Sequence, residues 1–250
     1  MASNTELYLD LLEKAVTNMI YGDAPIPNAW VPNEEFTPEH RENGMDWPSQ
    51  AHTMVGLKRI RNVRSCLEQV LADDVAGDFI ETGVWRGGVC IFARGFLKAH
   101  EASDRLVWLA DSFEGIPDTS VDGHPMDRDL ALHQANEVLG VSVEKVQENF
   151  ERYGLLDDGV RFLPGWFRDT LPTAPIEKLA VMRLDGDLYE STMDALVNLY
   201  PKLSPGGFVI IDDYFIPACR KALEDFRDEQ GINDPLEMID DYSAFWRRSF

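Results

Sequence analysis

Asp78-Phe79-Ile80-Glu81-Thr82-Gly83-Val84-Trp85-Arg86-Gly87-Gly88 is the stretch from which the fold can be read. A short apolar-rich run breaks into a glycine turn and reopens as an apolar stretch that continues to His100. That order is strand, turn, helix. The same alternation continues downstream. It predicts strands at Leu106–Ala110, Val160–Leu163, Leu179–Leu184 and Phe208–Ile211, and helices at about 143–153, 191–200 and 217–229. The first of these helix patterns presents Val143, Val146, Phe150 and Tyr153 on one face, and Gly154 offers it a left-handed cap. Weak strands near Glu237–Ile239 and Phe245–Arg247 finish the chain. Runs such as Leu179–Leu184 are continuous rather than alternating in polarity, as in parallel strands covered on both faces. The expected architecture is α/β, a doubly wound, Rossmann-like, mostly parallel sheet.

Upstream of Gly77 the period is helical. Leu7–Ile20 repeats apolar pairs every four residues, and Ser3 with Glu6 has the spacing of a capping box. A second helix is predicted from Ser49 to Ala72, with Met54, Leu57, Ile60, Val63, Leu67 and Val70 on one face. Residues 22–48, rich in Pro, Asn, Gly and acids, predict a long loop or cover, and the polar stretch 114–140 predicts a lid insertion. The expected division is an N-terminal helical addition with its cover loop, 1–76, and a ligand-binding catalytic domain, 77–250.

The 250 residues carry 44% hydrophobic residues, with 13 Phe, 7 Tyr and 6 Trp, ample for a packed core. Twenty-three basic against 44 acidic residues leave a net charge of −21, which argues against a phosphate-backbone binder and favours cations. No apolar run nears the roughly 20 residues that span a bilayer, and the first residues lack signal-peptide character. The expectation is a cytoplasmic, non-membrane protein that does not bind nucleic acid. Cys66, Cys90 and Cys219 lack a paired spacing and read as reduced, buried thiols.

In doubly wound sheets ligands bind beyond the carboxyl ends of the strands, so the residues there carry the functional signal. Gly83, Gly87 and Gly88 open a helix N-terminus to a small polar group, or merely permit a tight turn. The spacing is not GxGxxG, which weakens a dinucleotide reading without excluding another adenosine cofactor. Asp111 ends the second strand, where an acid accepts hydrogen bonds from ribose hydroxyls; the alternative is a turn residue. Gly165 and Trp166 end the third, offering backbone contact and an aromatic wall, or a core tryptophan.

Asp185-Gly186-Asp187 and Asp212-Asp213 end the fourth and fifth strands. If those strands are neighbours, about 4.8 Å apart, four carboxylates converge, and they must either bind protons or share a divalent cation. Oxygen ligands favour a hard ion such as Mg2+. Asp185-Gly186-Asp187 also has the DxD form of a metal-dependent glycosyltransferase. His124 and His133 lie in the polar insertion without a ligand-spaced partner and read as surface or lid histidines.

The segment Leu203-Ser204-Pro205-Gly206-Gly207-Phe208-Val209-Ile210-Ile211-Asp212-Asp213 resembles the turn before the fifth strand of class I S-adenosylmethionine-dependent methyltransferases. Together with Glu81–Gly88, Asp111-Ser112-Phe113, Phe162–Phe167 and Asp185-Gly186-Asp187, the chain resembles the macrocin O-methyltransferase family over nearly its whole length. The resemblance implies S-adenosylmethionine and Mg2+ as cofactors and a sugar hydroxyl of a glycosylated small molecule as acceptor. It assigns Asp185, Asp212 and Asp213 to the metal and Asp187, with Asp185, to catalysis. It brings Glu81, Thr82, Gly83, Val84, Trp85, Arg86, Asp111, Ser112, Gly165 and Trp166 to the methyl donor. Thr53 and Met54 are expected where the N-terminal addition meets the cleft. His133 and Gln134 are the expected acceptor contacts from the lid, with His133 an alternative base. A homo-oligomer is the expected assembly.

Overall fold

The computed structural model describes residues 2–28 and 35–249. Seven strands form one sheet: β1 (Asp78–Thr82), β2 (Val107–Asp111), β3 (Val160–Pro164), β4 (Leu179–Leu184), β5 (Leu203–Ile211), β6 (Glu237–Met238) and β7 (Ala244–Arg247). Their order is β3-β2-β1-β4-β5-β7-β6. The first five strands are parallel, and β7 pairs antiparallel with β5 and with β6. Chain order reverses between β1 and β4, the point at which such sheets open a crevice. Nine helices accompany it among the described residues: α1 (Asn4–Val16), α2 (Pro38–Asn43), α3 (Gly56–Ala72), α4 (Gly88–Ala99), α5 (Asn136–Leu139), α6 (Val143–Arg152), α7 (Phe167–Thr170), α8 (Tyr189–Leu199) and α9 (Pro217–Gln230).

Two apolar cores flank the sheet, as continuous apolar strands require. One joins Phe79, Val181 and Ile210 to Leu9, Leu12 and Val16 of α1, Ile60 and Val63 of α3 and Phe92 of α4. The other joins Ile80, Met182 and Val209 to Leu196 of α8, Phe226 of α9 and Trp246 of β7. The N-terminal helices thus share a core with the sheet. Cys66, Cys90 and Cys219 are buried free thiols. No helix among the described residues is long and apolar enough to cross a membrane.

The boundaries differ from the sequence pattern where tertiary contacts take over. Ser3 and Glu6 form the capping box, but α1 stops at Val16, followed by left-handed Asn18. Leu7 and Leu11, counted with the apolar pairs, stand 57% exposed, and the buried face is Leu9, Leu12 and Val16. The predicted 49–72 helix begins only at Gly56, because residues 49–55 run along the sheet end: the His52 carbonyl accepts the Gly88 N–H at 2.8 Å. The predicted 191–200 helix begins earlier, at Tyr189.

Residues 29–34 of the 22–48 cover lie outside the described residues, and the rest is less loop-like than its composition suggests. It contains α2, and Arg41 ties its two ends together. That guanidinium is completely buried and donates to Asp46 Oδ1 and Oδ2, to Asp23 Oδ1 at 2.7 Å and to the Asp23 and Thr17 carbonyls. Burial alone would raise the Asp23 pKa, but Arg41, the Gln50 amide and Asn18 outweigh it and hold it at about 2.

Candidate active site

A cavity of about 890 Å³ opens across the carboxyl ends of β1, β2, β4 and β5. At its β4–β5 side lie Asp185, Asp187, Asp212 and Asp213, and one carboxylate oxygen each of Asp185, Asp212 and Asp213 falls within 4.8 Å of the others. The register explains the meeting: Leu184 faces Ile211, so the residues that follow them emerge side by side. Asp185, Asp212 and Asp213 thus come together as strand adjacency predicts, with Asp187 on the wall of the same cavity.

A pair of arginines absent from the sequence reading organises these acids from beneath. Arg183, completely buried in β4, donates to Glu81 Oε1 at 2.5 Å, to Asp185 Oδ2 at 2.7 Å and closely to Asp212 Oδ1. Arg59 of α3 donates to Asp212 Oδ2 at 2.7 Å and to Asp240 Oδ2 at 2.8 Å. Burial works against the Arg183 charge, but Asp212, Asp185 and Glu81 outweigh it and hold its pKa well above the usual value. A trace of this was present in the sequence. Arg183 interrupts an apolar run, and β1–β4 pairing sets it opposite Glu81. A charge inside a strand covered on both faces needs a buried partner.

Two arginines do not balance six acids, Glu81, Asp185, Asp187, Asp212, Asp213 and Asp240. Burial followed by Asp212 raises Asp185 to about 6, and burial followed by Asp185 and Asp212 raises Asp187 to about 7. Burial, then Asp187 and Asp185, push Asp213 well up as well. Burial also lifts Glu81, to about 8, against the pull of Arg183. The cluster is short of positive charge on its cavity side. Three oxygen donors so placed fit a hard divalent cation. Asp212 engages both arginines, yet a carboxylate has about four acceptor positions and can still ligate.

The β1–β2 side of the cavity holds Glu81, Gly83, Val84, Trp85, Asp111 and Ser112, with Thr53, Met54 and Trp166 on adjoining walls. Asp111 accepts the Val84 N–H at 2.7 Å and the Phe113 N–H at 2.8 Å, so it orders both turns as well as facing the cavity. Burial raises its pKa although those amides oppose the rise. Gly83 is required by packing: a Cβ there would stand 1.8 Å from the Asp185 carbonyl oxygen, and its φ is +86°. At Gly88 a Cβ would meet the His52 carbonyl oxygen at 2.4 Å. That carbonyl occupies one of the helix amides that the turn otherwise offers a ligand. Trp85, Phe113 and Asp187, following β1, β2 and β4, all have positive φ (46°, 58° and 55°), a strained backbone of the kind that clusters at functional sites.

Five expected site residues are not on the cavity wall. Arg86 donates to the Pro48 and Ala51 carbonyls at 3.1 and 2.9 Å and covers the Trp85 ring at 4.0 Å, so its charge clamps the N-terminal segment onto the β1 turn. Thr82 is fully buried, and the Gly165 N–H donates to the Asp111 carbonyl behind the wall. His133 and Gln134 sit on a 3-10 turn, Leu132–Ala135, where Leu132 is the residue that reaches the cavity. His133 Nδ1 instead lies 3.7 Å from Asp118 Oδ1.

Sheet order, crevice and acidic strand tips together define a Rossmann-like α/β protein with a ligand cleft at its strand tips. The sequence profile described as Macrocin-O-methyltransferase (TylF) matches residues 5–248, and the chain belongs to that family. It is an O-methyltransferase. It is 57% identical over 250 residues to the mycinamicin III 3''-O-methyltransferase of Micromonospora griseorubida, covering 99% of this chain and 98% of the relative. It is 61% identical over 244 residues to the 8-demethyl-8-(2,3-dimethoxy-alpha-L-rhamnosyl)-tetracenomycin-C 4'-O-methyltransferase of Streptomyces olivaceus, covering 98% and 93%. The solved structure of the O-methyltransferase NovP is similar with a TM-score of 0.94 and 53% identity, covering 99% of this chain and all of that one. The glycosyltransferase reading of Asp185-Gly186-Asp187 finds no support.

Proposed function

We propose that this chain transfers a methyl group from S-adenosylmethionine to a sugar hydroxyl of a glycosylated natural product, with Mg2+ held by Asp185, Asp212 and Asp213. The observation that carries the reading is the meeting of those acids beside Asp187 in one cavity with Glu81, Val84 and Asp111. The rhamnosyl and mycinamicin substrates in the relatives' names support a glycoside as acceptor. The cavity's charge agrees: of the arginines on its wall, Arg59 is engaged by Asp212 and Asp240 and Arg168 lies 3.8 Å from Asp169, while Asp185, Asp187, Asp212 and Asp213 make an acidic floor poorly suited to a diphosphate.

When bound, S-adenosylmethionine supplies a methyl group on a sulfonium and Mg2+ supplies a Lewis acid that acidifies an alcohol. The protein's own work is positioning and proton transfer. Asp187 takes the proton from the acceptor hydroxyl, since its carboxylate lines the same cavity beside the three acids that would hold the metal. Glu81, Gly83, Val84, Trp85, Asp111, Ser112, Thr53, Met54 and Trp166 border the donor, while Thr82, Arg86 and Gly165 hold that border from behind. The acidic field around the sulfonium favours a cation before transfer and less so the neutral thioether product. Leu130, Leu132 and Leu139 of the insertion and Met45 and Trp47 of the N-terminal segment give the outer cavity an apolar wall, which helps exclude water from an oxygen nucleophile.

The test is incubation with labelled S-adenosylmethionine and a panel of glycosylated macrolide and aromatic aglycones, with and without chelator, followed by mass analysis. One added methyl on a sugar, lost with chelator and restored by Mg2+, is expected. Transfer to aglycone carbon or nitrogen, or full turnover in chelator, would refute the reading.

A further inference from the structure

Asp127 is a completely buried carboxylate in the 114–140 insertion. Its oxygens accept the backbone N–H groups of Tyr189 at 2.7 Å and Glu190 at 3.1 Å. These are the first amides of α8, whose own N-cap, Leu188, provides no side-chain acceptor. A helix leaves its first four amides without internal partners and carries partial positive charge there. An acid 62 residues away in sequence therefore supplies the cap that the local sequence lacks.

A second contact joins the same two elements: the His124 ring stacks on the Tyr189 ring with centroids 3.8 Å apart and planes within 9°. The insertion is closed around Asp127, since Thr119 Oγ1 donates to the Asp127 carbonyl and the Asp127 N–H donates to the His124 carbonyl, each at 2.8 Å. On the other side, α8 starts two residues after Asp187. The loop between is short and strained: the Asp185 N–H donates to the Thr82 carbonyl at 2.9 Å, Asp187 has φ +55°, and its N–H donates to Asp213 Oδ2 at 3.2 Å. The loop is held by the sheet at one end and by the first turn of α8 at the other.

We infer that Asp127 is a positioning residue: the docked insertion caps α8 and thereby sets the loop that presents Asp187 to the acceptor. The inference rests on the proposed role of Asp187 as base. Covering the acceptor and aligning the base become one event, because the group that docks the cover also pins the helix behind the base. Losing a helix cap shifts a local equilibrium by about fivefold, and up to about thirtyfold where the cap is buried.

The experiment compares the full chain with Asp127→Asn and Asp127→Ala by hydrogen exchange, donor titration and steady-state methylation. Amides of residues 189–192 and of 119–130 are expected to exchange about five- to thirtyfold faster. Donor Kd should stay within about twofold, since none of the residues proposed to border the donor is among the hydrogen-bond partners of Asp127, while kcat falls about tenfold and acceptor KM moves less. A cap with a purely structural role would lower the unfolding midpoint and leave kcat intact while the protein remains folded, and that result overturns the inference. So does unchanged exchange at 189–192. Should Asp127→Ala not fold, Asp127→Asn keeps the shape and one acceptor and still gives the kcat and exchange readouts. Full turnover in Asp187→Asn overturns the base assignment itself. It is distinguished by exchange that still speeds up in the Asp127 variants.

Discussion

Two arginines are buried completely, and they sit in opposite electrostatic company. Arg41 is shared between Asp23 and Asp46, its remaining donors go to the Asp23 and Thr17 carbonyls, and Asp23 is held down at about 2. Arg183 is shared among Glu81, Asp185 and Asp212, with Asp187 and Asp213 close by, and the acids at its tip move the other way, Asp185 to about 6 and Asp187 to about 7. The chemistry of the pairs is the same; the balance is not. Where acids and cation are nearly matched, the hub is a fastener. Where acids are in excess beside an open cavity, the deficit is met by protons or, on the proposed function, by a bound cation.

The sharpest way to break that contrast is Asp187→Asn. It should lower kcat by about 10²–10⁴-fold, the usual range for a lost general base, while donor affinity measured by calorimetry stays within about twofold. Undiminished turnover would reduce the second hub to a fastener like the first.

Next in size are Arg41→Leu and Arg183→Leu. Each strands buried carboxylates and should cost about 3–5 kcal/mol in denaturant unfolding. The difference expected is in rescue: Mg2+ recovers part of the loss in Arg183→Leu and none in Arg41→Leu. Equal response to Mg2+ in both would erase the distinction.

For the unaltered protein, Mg2+ at about 100 times its Kd should stabilise by about 2.7 kcal/mol, read as a rise in unfolding midpoint that Asp212→Asn and Asp213→Asn remove. The smallest effect concerns acid. The Asp23 pKa is about 2 in the fold against its ordinary 3.8, so its contribution is complete above 3.8 and is lost as pH falls through about 2. Urea midpoints of the wild type should therefore drop more steeply over that window than those of Asp23→Asn.

Much of this layout is legible in the residues alone, for a physical reason. Parallel strands covered on both faces must be continuous apolar runs, so Leu179–Leu184 and Ile80 with its neighbours identify themselves, and the acids that follow them fall at strand tips. The acid cluster was therefore foreseeable from strand adjacency. Arg183 was half-legible, as a charge in an apolar run. Arg86 was not: a guanidinium beside a glycine turn serves a ligand or a carbonyl equally well, and only the path of residues 48–51 decides. The start of α3 is hidden for the same reason, since the irregular segment bridging to Gly88 has a helical-looking composition. Asp127 is invisible without the fold, because its partners are backbone amides whose orphan state follows from where α8 begins.

The contact at Gly83 limits how this enzyme can be altered. With no room for even one methyl group between that residue and the Asp185 carbonyl, the turn after β1 and the acidic strand tip are effectively one casting, and neither can be reshaped while the other stays in place. Any redirection toward other alcohols, by evolution or by engineering, must come from the side walls at 45–47, 130–139 and 215–217, leaving the floor as it is.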